Sequence, residues 1–297
     1  MSTYAITGAT GNTGKVIATK LLEEGHKVRA IGRSSERLKP LVEKGAEPYV
    51  GSIEDEIFLT EAFKGADAVY AMTPPDFTVE KFRTYQNQMG EHLAVAIEKA
   101  GVKRVVFLSS VGAHLSEGTG PIAGLHDVEE RLNKLQGVDI LHLRPTSFME
   151  NLFAGIDTIK NMGINGTAMQ GDIPMAMIAT QDIGDYAARR LSKLDFSGQS
   201  TQELLGPRDL TMQEATSILG KAIGKDDLQY VQFSYEDTDK ALQGMGFTPD
   251  GARTYVELSK GLNEGIVKGM EERNQENTTP TTLEEMSKIF AMAYNAS

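Results

Sequence analysis

Tyr-Ala-Ile-Thr-Gly-Ala-Thr-Gly-Asn-Thr-Gly, residues 4–14, runs from a short apolar stretch into three glycines at regular spacing. In the segment that follows, Ile17 and Leu21 repeat at helical spacing. The pattern predicts a strand, a tight turn and a helix. Glycine in such a turn allows a backbone torsion that a Cβ would forbid, close approach of the main chain to a bound group, and tight packing of the helix on the strand.

The start of the predicted helix is suited to an anion. Its first turn presents unpaired N–H groups and a partial positive charge of roughly half a unit, which together favour a diphosphate. We therefore predict a dinucleotide cradle here, and the alternative is an ordinary turn between a strand and a helix. The predicted cradle residues are Gly8, Thr10, Gly11, Asn12, Thr13 and Gly14.

A second predicted strand, residues 27–33, lies at the distance that a strand–helix–strand unit requires. The end of this strand usually meets the adenosine ribose, where an acidic side chain would repel a 2′-phosphate. Here the chain has Arg33 and Ser34 instead. A guanidinium and a hydroxyl suit a phosphate, so we predict NADP(H) rather than NAD(H) as the cofactor. The alternative is that Arg33 and Arg37 belong to a solvated loop and helix start.

The segment Thr7 to Gly14, with an extra residue between its first two glycines, resembles the opening of the NmrA-like family of atypical short-chain dehydrogenase/reductase proteins. The resemblance implies an NAD(P)-binding fold. That family includes quinone, azo-dye and triphenylmethane-dye reductases, and also redox-sensing regulators without known catalysis. The resemblance further implies adenine contacts at Ser52 and Ile53, and contacts with nicotinamide or substrate at Ser109, Ser110, Pro145, Phe148 and Asn151.

The alternation of strands and helices up to Pro145 predicts an α/β fold, a Rossmann-type doubly wound parallel sheet. We assign residues 1–150 to this nucleotide domain and residues 151–297 to a smaller α+β substrate lobe, from which some segments return to the main sheet. A helix is expected from about His126 to Leu135, after a flexible stretch. Residues 269–280 are polar and are expected to form a surface loop.

The fourth predicted strand, residues 68–72, ends at a Thr-Pro-Pro sequence, because proline cannot continue a strand ladder. The order of strands should reverse here, so the loop after it should border both nucleotide and substrate. Met72, Thr73 and Pro74 are therefore predicted cofactor contacts. Phe77 is either a substrate contact or an anchor packed on the core.

The main short-chain dehydrogenase family uses a tyrosine as its general acid, with a lysine four residues later, and this pair is missing here. No tyrosine lies between Tyr85 and Tyr186, and none of the nine tyrosines has a lysine four residues later. After the fifth predicted strand, where that family has its tyrosine, His126 and Glu130 resemble a His-x-x-x-Glu pattern of several NmrA-like reductases. His126 is thus a candidate to supply a proton or to orient the substrate, with Ser110 as a second catalytic candidate. The alternatives for His126 are a helix cap and, more remotely, a metal ligand; no third ligand accompanies it, so we predict no metal.

The composition of the chain excludes some classes of function. The chain has 297 residues, no cysteine and a formal net charge of −11. The absence of cysteine excludes disulfides and thiolate chemistry. The acidic surface disfavours nucleic acid. No apolar run approaches ~20 residues, so we expect a cytoplasmic protein without a membrane segment.

Two functions fit these observations. The first is an NADPH-dependent reductase of a quinone or an iminium-type dye, because a conjugated acceptor delocalises the charge after hydride transfer and needs no strong acid. The second is a non-catalytic sensor of NAD(P) that acts through a protein partner. A reductase is expected to bind a small-molecule substrate. A protein partner or a homo-oligomer is compatible with either function. An apolar pocket beside the nicotinamide position would favour the reductase.

Overall fold

A computed structural model describes all 297 residues of the chain. The twelve strands are β1 (Thr3–Ile6), β2 (Lys27–Gly32), β3 (Glu47–Val50), β4 (Ala68–Ala71), β5 (Arg104–Leu108), β6 (Asp139–Pro145), β7 (Ser147–Phe148), β8 (Ile164–Thr167), β9 (Met175–Ile178), β10 (Gln199–Leu204), β11 (Asp209–Leu210) and β12 (Gln229–Gln232).

The eleven α-helices are α1 (Asn12–Glu23), α2 (Ser35–Val42), α3 (Glu56–Phe63), α4 (Phe82–Ala100), α5 (Pro121–Leu132), α6 (Ile156–Met162), α7 (Thr180–Lys193), α8 (Met212–Ala222), α9 (Tyr235–Gly244), α10 (Pro249–Asn263) and α11 (Leu283–Ala296). A 3-10 helix, Met149–Gly155, precedes α6. No helix is both long and apolar enough to span a bilayer.

Seven parallel strands form the central sheet, in the order β10-β6-β5-β4-β1-β2-β3. The chain builds outward from β1 to β3, then crosses to the other side of β1 and builds outward again from β4. The order therefore reverses between β1 and β4, as predicted, and the predicted doubly wound sheet is confirmed. A ligand crevice opens beyond the carboxyl ends of the strands at such a reversal.

Helices cover both faces of this sheet. The face that carries Tyr4 and Ile6 packs against α1, α2 and α7 in one buried apolar cluster. The opposite face, with Ala5 and Val105, packs against α3, α4 and α5 in a second cluster. Burial on both faces explains why the strands read as nearly continuous apolar runs in the sequence.

The second half of the chain contributes to the main sheet and also forms a smaller lobe. Strand β10 pairs in parallel with β6, and α7 packs with α1 on the main sheet. The remaining elements build the lobe around a third apolar cluster, with a three-stranded sheet β11-β9-β7 and a β12-β8 pair. The lobe stands beside the carboxyl end of β6, because β7 follows β6 directly.

Two segments differ from the sequence expectation. The helix predicted from about His126 to Leu135 is α5, which begins at Pro121 and ends at Leu132. It starts earlier because Gly120 has a φ of 59°, which turns the chain sharply, and Pro121 occupies the first helical position, where its missing N–H is not needed. The polar segment 269–280 is irregular, yet the side chain of Asn277 is fully buried.

Candidate active site

The turn after β1 is built around its glycines. Gly8 has a φ of 59°, a torsion that L side chains rarely adopt, and its carbonyl oxygen accepts a 2.8 Å hydrogen bond from the N–H of Gly11. A methyl group at Gly14 would collide with that same carbonyl oxygen. The side chain of Met72, the residue after β4, lies directly beside Gly8, where a methyl group on the glycine would meet its sulfur at 2.9 Å. The cradle thus needs glycine for torsion and for close packing.

The first turn of α1 is open toward an anion. Its N-cap, Gly11, has no side chain to accept a hydrogen bond, and no acidic residue lies in the turn. The N–H groups of Asn12, Thr13 and Gly14 have no backbone acceptor within the protein. Thr13 is held by a 2.9 Å hydrogen bond between its hydroxyl and that of Tyr70 on β4. These donors and the helix dipole together form a site for a diphosphate.

A cationic and a hydroxyl side chain follow the end of β2. Arg33 is exposed and makes no ion pair, while Ser34 caps α2 by accepting from the N–H of Arg37 at 3.3 Å. The guanidinium of Arg37 donates to the carbonyl oxygen of Thr10 at 3.3 Å, which ties α2 to the cradle. The guanidinium of Arg33 is therefore free to bind another group, and its contact with a 2′-phosphate stays a prediction.

Ser52 and Ile53 follow β3. The hydroxyl of Ser52 accepts from the N–H of Glu54 at 3.2 Å, so this side chain shapes its own turn. Ile53 is buried, and its carbonyl oxygen lies 3.2 Å from Nδ1 of His92 on α4. This turn is thereby fixed against the α4 side of the sheet.

A cavity of about 1060 Å³ lies between the carboxyl end of the sheet and the smaller lobe. Of its 34 lining residues 16 are hydrophobic, and it is large enough for a nicotinamide together with a small acceptor. Seven of the predicted site residues line it, namely Met72, Thr73, Phe77, Ser109, Ser110, Phe148 and Asn151. Pro74 and Pro145, also predicted, do not line it.

The two serines after β5 have different environments. Ser109 is buried, and its hydroxyl has no hydrogen-bond partner within the protein. Ser110 donates its hydroxyl hydrogen to the carbonyl oxygen of Val111 at 2.9 Å. The hydroxyl of Ser109 is therefore a hydrogen-bonding group that the protein leaves unused, whereas that of Ser110 is already engaged.

His126 does not line the cavity, although Ile122 and Leu125 on the same helix do. Its Nδ1 lies 2.9 Å from the carbonyl oxygen of Ala113, which fixes the loop after β5. Glu130 is exposed and makes no ion pair with His126. No group of three or more His, Cys, Asp or Glu side chains is arranged to hold a metal ion. This placement favours a positioning role for His126 over direct contact with a substrate.

An aromatic wall that the sequence analysis missed closes the outer side of the cavity. Phe77 stacks on Phe82 at 4.7 Å and on Phe247 at 4.9 Å between ring centroids, and Tyr255 packs edge-on against Phe77 at 5.8 Å. Phe77 and Tyr255 both line the cavity. Burial raises the pKa of Tyr255, so its hydroxyl keeps its proton. Nothing in the sequence linked residue 77 to residues near 250.

The segment between α10 and α11, residues 264–282, crosses the cavity and is called the strap below. Its residues from Gly265 to Arg273 include seven further lining residues. The buried carboxylate of Glu203, at the end of β10, accepts from the N–H of Met270 at 2.9 Å and from the N–H of Glu271 at 3.0 Å. The carbonyl oxygen of Asn277 accepts from the N–H of Leu205 at 2.8 Å. The strap is therefore fastened to the main sheet.

The fold and this site define a dinucleotide-binding protein of Rossmann type with an adjoining apolar cavity. The chain belongs to the NmrA-like family, whose sequence profile matches residues 1–285.

Three known proteins illustrate the similarity. The chain is 26% identical over 260 residues to (4-alkanoyl-5-oxo-2,5-dihydrofuran-3-yl)methyl phosphate reductase of Streptomyces griseus, covering 88% of this chain and 87% of that protein. It is 26% identical over 255 residues to an NAD(P)H azoreductase of Xenophilus azovorans, covering 85% of each. An NADPH-dependent quinone oxidoreductase from Escherichia coli, solved with NADPH, superposes with a TM-score of 0.78 at 23% identity over 96% of this chain and 99% of that one. At that identity, the structural likeness shows the fold.

Proposed function

We propose that this protein is an NADPH-dependent reductase of conjugated small molecules that are neutral or cationic, such as quinones or iminium-type dyes. The observation that carries the proposal is the direct junction between the cradle and the apolar cavity. The side chain of Met72 touches Gly8 of the cradle and also lines the cavity. A dinucleotide whose diphosphate lies at Gly8 therefore has its nicotinamide end beside the space for an acceptor.

The residues of the crevice fit NADP(H). The free N–H groups at the start of α1 bind the diphosphate, and the unpaired guanidinium of Arg33 binds the 2′-phosphate. Thr73 and Ser109, whose buried hydroxyls lack partners within the protein, offer hydrogen bonds at the nicotinamide end. The names of the two sequence relatives, both reductases, support the same class of chemistry.

The charges around the cavity favour a neutral or cationic acceptor. Four carboxylates line it, against two cationic side chains; these residues are Glu150, Asp209, Glu271, Glu272, Lys268 and Arg273. Arg273 is already paired with Asp209. An anionic substrate, such as the phosphate ester named for the Streptomyces relative, would meet net repulsion here.

The missing acid–base pair fits such an acceptor. When bound, NADPH supplies a hydride; a quinone that accepts it then takes up one proton from water or from a neighbouring hydroxyl, whereas a cationic iminium-type dye becomes neutral and needs no proton. Ser109 can donate a hydrogen bond to the acceptor oxygen or nitrogen as negative charge develops there. The faces of the Phe77 ring are taken by Phe82 and Phe247, so the aromatic wall offers a flat conjugated ring the edge of Phe77 and the ring of Tyr255 to pack against, and it excludes water. The presence of this cavity favours a reductase over a sensor, because a sensor needs only the cradle.

The experiment is single-turnover absorbance of NADPH with three acceptors: neutral 1,4-naphthoquinone, the cationic dye crystal violet, and anionic anthraquinone-2-sulfonate. We expect NADPH oxidation above the protein-free rate with one or both of the first two, and little with the third. Gly14→Ala should abolish the reaction, because its methyl group blocks the cradle. The matched control is Gly244→Ala, since no atom lies near that glycine. No oxidation with any acceptor would refute the proposal.

A further inference from the structure

The hydroxyl of Tyr255 is a polar group that the protein leaves without a partner. Tyr255 lies on the second turn of α10, on the far side of the cavity from the cradle in the chain, and it lines the cavity. Its hydroxyl oxygen makes no hydrogen bond within the protein and is not closed off from open space. Burial alone raises the pKa of Tyr255, with no charge or hydrogen bond beside it, so the phenol keeps its proton. The cavity is therefore offered a free O–H donor.

Helix α10 turns one stripe of side chains toward the cavity, and the polar atom of that stripe is this hydroxyl. Tyr255, Leu258 and Leu262 follow one another at helical spacing, and all three line the cavity. A phenylalanine would place the same ring here without the hydroxyl. Tyrosine hydroxyls in buried surroundings usually find a hydrogen-bond partner. Since the protein supplies none, the hydroxyl is accounted for by a ligand in the cavity.

The ring of Tyr255 is fixed before any ligand binds. It packs edge-on against Phe77 at 5.8 Å and against Phe247 at 6.2 Å between ring centroids. The start of α10 is in turn tied to the loop after β4, because the hydroxyl of Thr248 donates to the carbonyl oxygen of Val79 at 2.8 Å. A donor held in place by such packing loses little freedom when it binds, which favours a specific contact.

We infer that Tyr255 is a specificity-determining residue that donates a hydrogen bond to a carbonyl oxygen of a quinone-type acceptor. The inference rests on the proposed function for the class of acceptor. A quinone oxygen gains negative charge when the quinone takes up a hydride, so the same hydrogen bond becomes stronger during the reaction. A dye such as crystal violet takes up the hydride on carbon and has no oxygen, so Tyr255 gives it no such advantage.

The first test measures binding without turnover. Wild type and Tyr255→Phe are saturated with NADP⁺, which carries no hydride, and their affinities are measured by equilibrium dialysis for 1,4-naphthoquinone and for 1,4-dimethylnaphthalene, in which methyl groups replace both oxygens. The chain has no cysteine to which the quinone could add. We expect Tyr255→Phe to bind the quinone about three- to tenfold more weakly, the effect of one hydrogen bond, and the hydrocarbon as wild type does. Tyr294→Phe, which removes a hydroxyl from α11 outside the cavity lining, should match wild type with both ligands.

The second test measures single-turnover oxidation of NADPH. Tyr255→Phe should reduce 1,4-naphthoquinone at least about tenfold more slowly than wild type, because a hydrogen bond to a charged oxygen is stronger than one to a neutral oxygen, and should reduce crystal violet at the wild-type rate. Unchanged affinity for the quinone, an equal loss of affinity for the hydrocarbon, equal slowing with both acceptors, or no binding of the quinone to wild type would overturn the inference. A loss of affinity confined to the quinone, in a protein that oxidises no NADPH with any acceptor, would instead count against the proposed reductase activity alone.

Discussion

At the scale of single residues, the cofactor crevice depends on a few side chains whose chemistry is local. Gly8 supplies a left-handed torsion, and Gly14 has no room for a side chain beside the Gly8 carbonyl. Arg33 is exposed, makes no ion pair and directly follows the end of β2. Its charge also contributes, after the hydrogen bonds from Thr78, to holding the pKa of Asp76 below its usual value.

The first prediction concerns the choice between NADPH and NADH. Arg33→Ala removes the guanidinium expected at the 2′-phosphate and should raise the Kd for NADPH by about 10- to 100-fold, the effect of charge-assisted hydrogen bonds. The Kd for NADH should change little, because NADH lacks that phosphate. Calorimetry with each dinucleotide measures both. Lys39→Ala, an exposed cation on α2, is the control for loss of charge. Equal losses of affinity for NADPH and NADH would show that Arg33 does not bind the 2′-phosphate.

The cradle was predictable from the sequence because all its constraints act within about ten residues. Tyr255 was not, since it meets the cavity through packing between elements that are distant in the chain. A tyrosine in an amphipathic helix looks the same whether it faces solvent or a cavity. His126 is the opposite example, because the sequence pattern selected it as a catalytic candidate but its ring lies against Ala113 and not in the cavity.

At the scale of elements, the strap connects the smaller lobe to the central sheet. The sequence predicted a polar surface loop for residues 269–280, because most of these side chains are polar. The hydrogen-bond partners of its backbone come from residues more than sixty positions earlier: Glu203 accepts from the N–H of Met270, and the N–H of Leu205 donates to the carbonyl oxygen of Asn277, which no local pattern reveals. The buried Asn277 also donates to the carbonyl oxygen of Glu272 at 2.8 Å. The strap is thus an ordered wall of the cavity, held by a small number of polar contacts.

The second prediction tests that attachment. Glu203→Gln removes the charge that accepts from the N–H groups of Met270 and Glu271, and each charge-assisted hydrogen bond contributes about 1.5–3 kcal/mol. We expect hydrogen exchange of residues 265–275 to accelerate at least tenfold and the KM for the acceptor to rise, because the strap lines the cavity. Mass spectrometry of peptides measures the exchange. Glu276→Gln, an exposed carboxylate on the strap, should leave exchange unchanged. Unchanged exchange in Glu203→Gln would show that other contacts hold the strap.

At the scale of the whole molecule, two apolar layers cover the parallel sheet, and a buried histidine lies within them. His142 is on β6 and is 1% exposed, with Nε2 2.8 Å from Oδ1 of Asn133 and no partner for Nδ1. Burial lowers the pKa of His142, Glu129 opposes this effect, and Arg144 adds to it. The folded protein therefore keeps this imidazole neutral at a pH where the unfolded chain already binds a proton.

The third prediction follows from the sign of this difference. The unfolded chain protonates His142 near pH 6.5, and the folded protein does so only at lower pH, so the unfolded state binds more protons between these values. The free energy of unfolding should fall as the pH drops below about 6.5, and the loss should be complete below the folded-state pKa. At this chain length, 1 kcal/mol corresponds to about 2–4 °C in Tm. Thermal unfolding between pH 8 and pH 5 should show a steeper fall in Tm for wild type than for His142→Gln.

The variant separates this effect from general acid unfolding, in which paired carboxylates such as Asp127 also take part. Hydrogen bonds from Arg83 hold the pKa of Asp127 below its usual range, so its contribution to stability is lost only at a lower pH than that of His142. His92→Gln, a half-buried histidine on α4, is the control and should follow wild type. If His142→Gln and wild type lose Tm in parallel from pH 7 to pH 5.5, the buried imidazole does not set the acid limit of the fold. A steeper loss of Tm in wild type would show that protonation of His142, in the central sheet, limits the stability of the fold at acid pH.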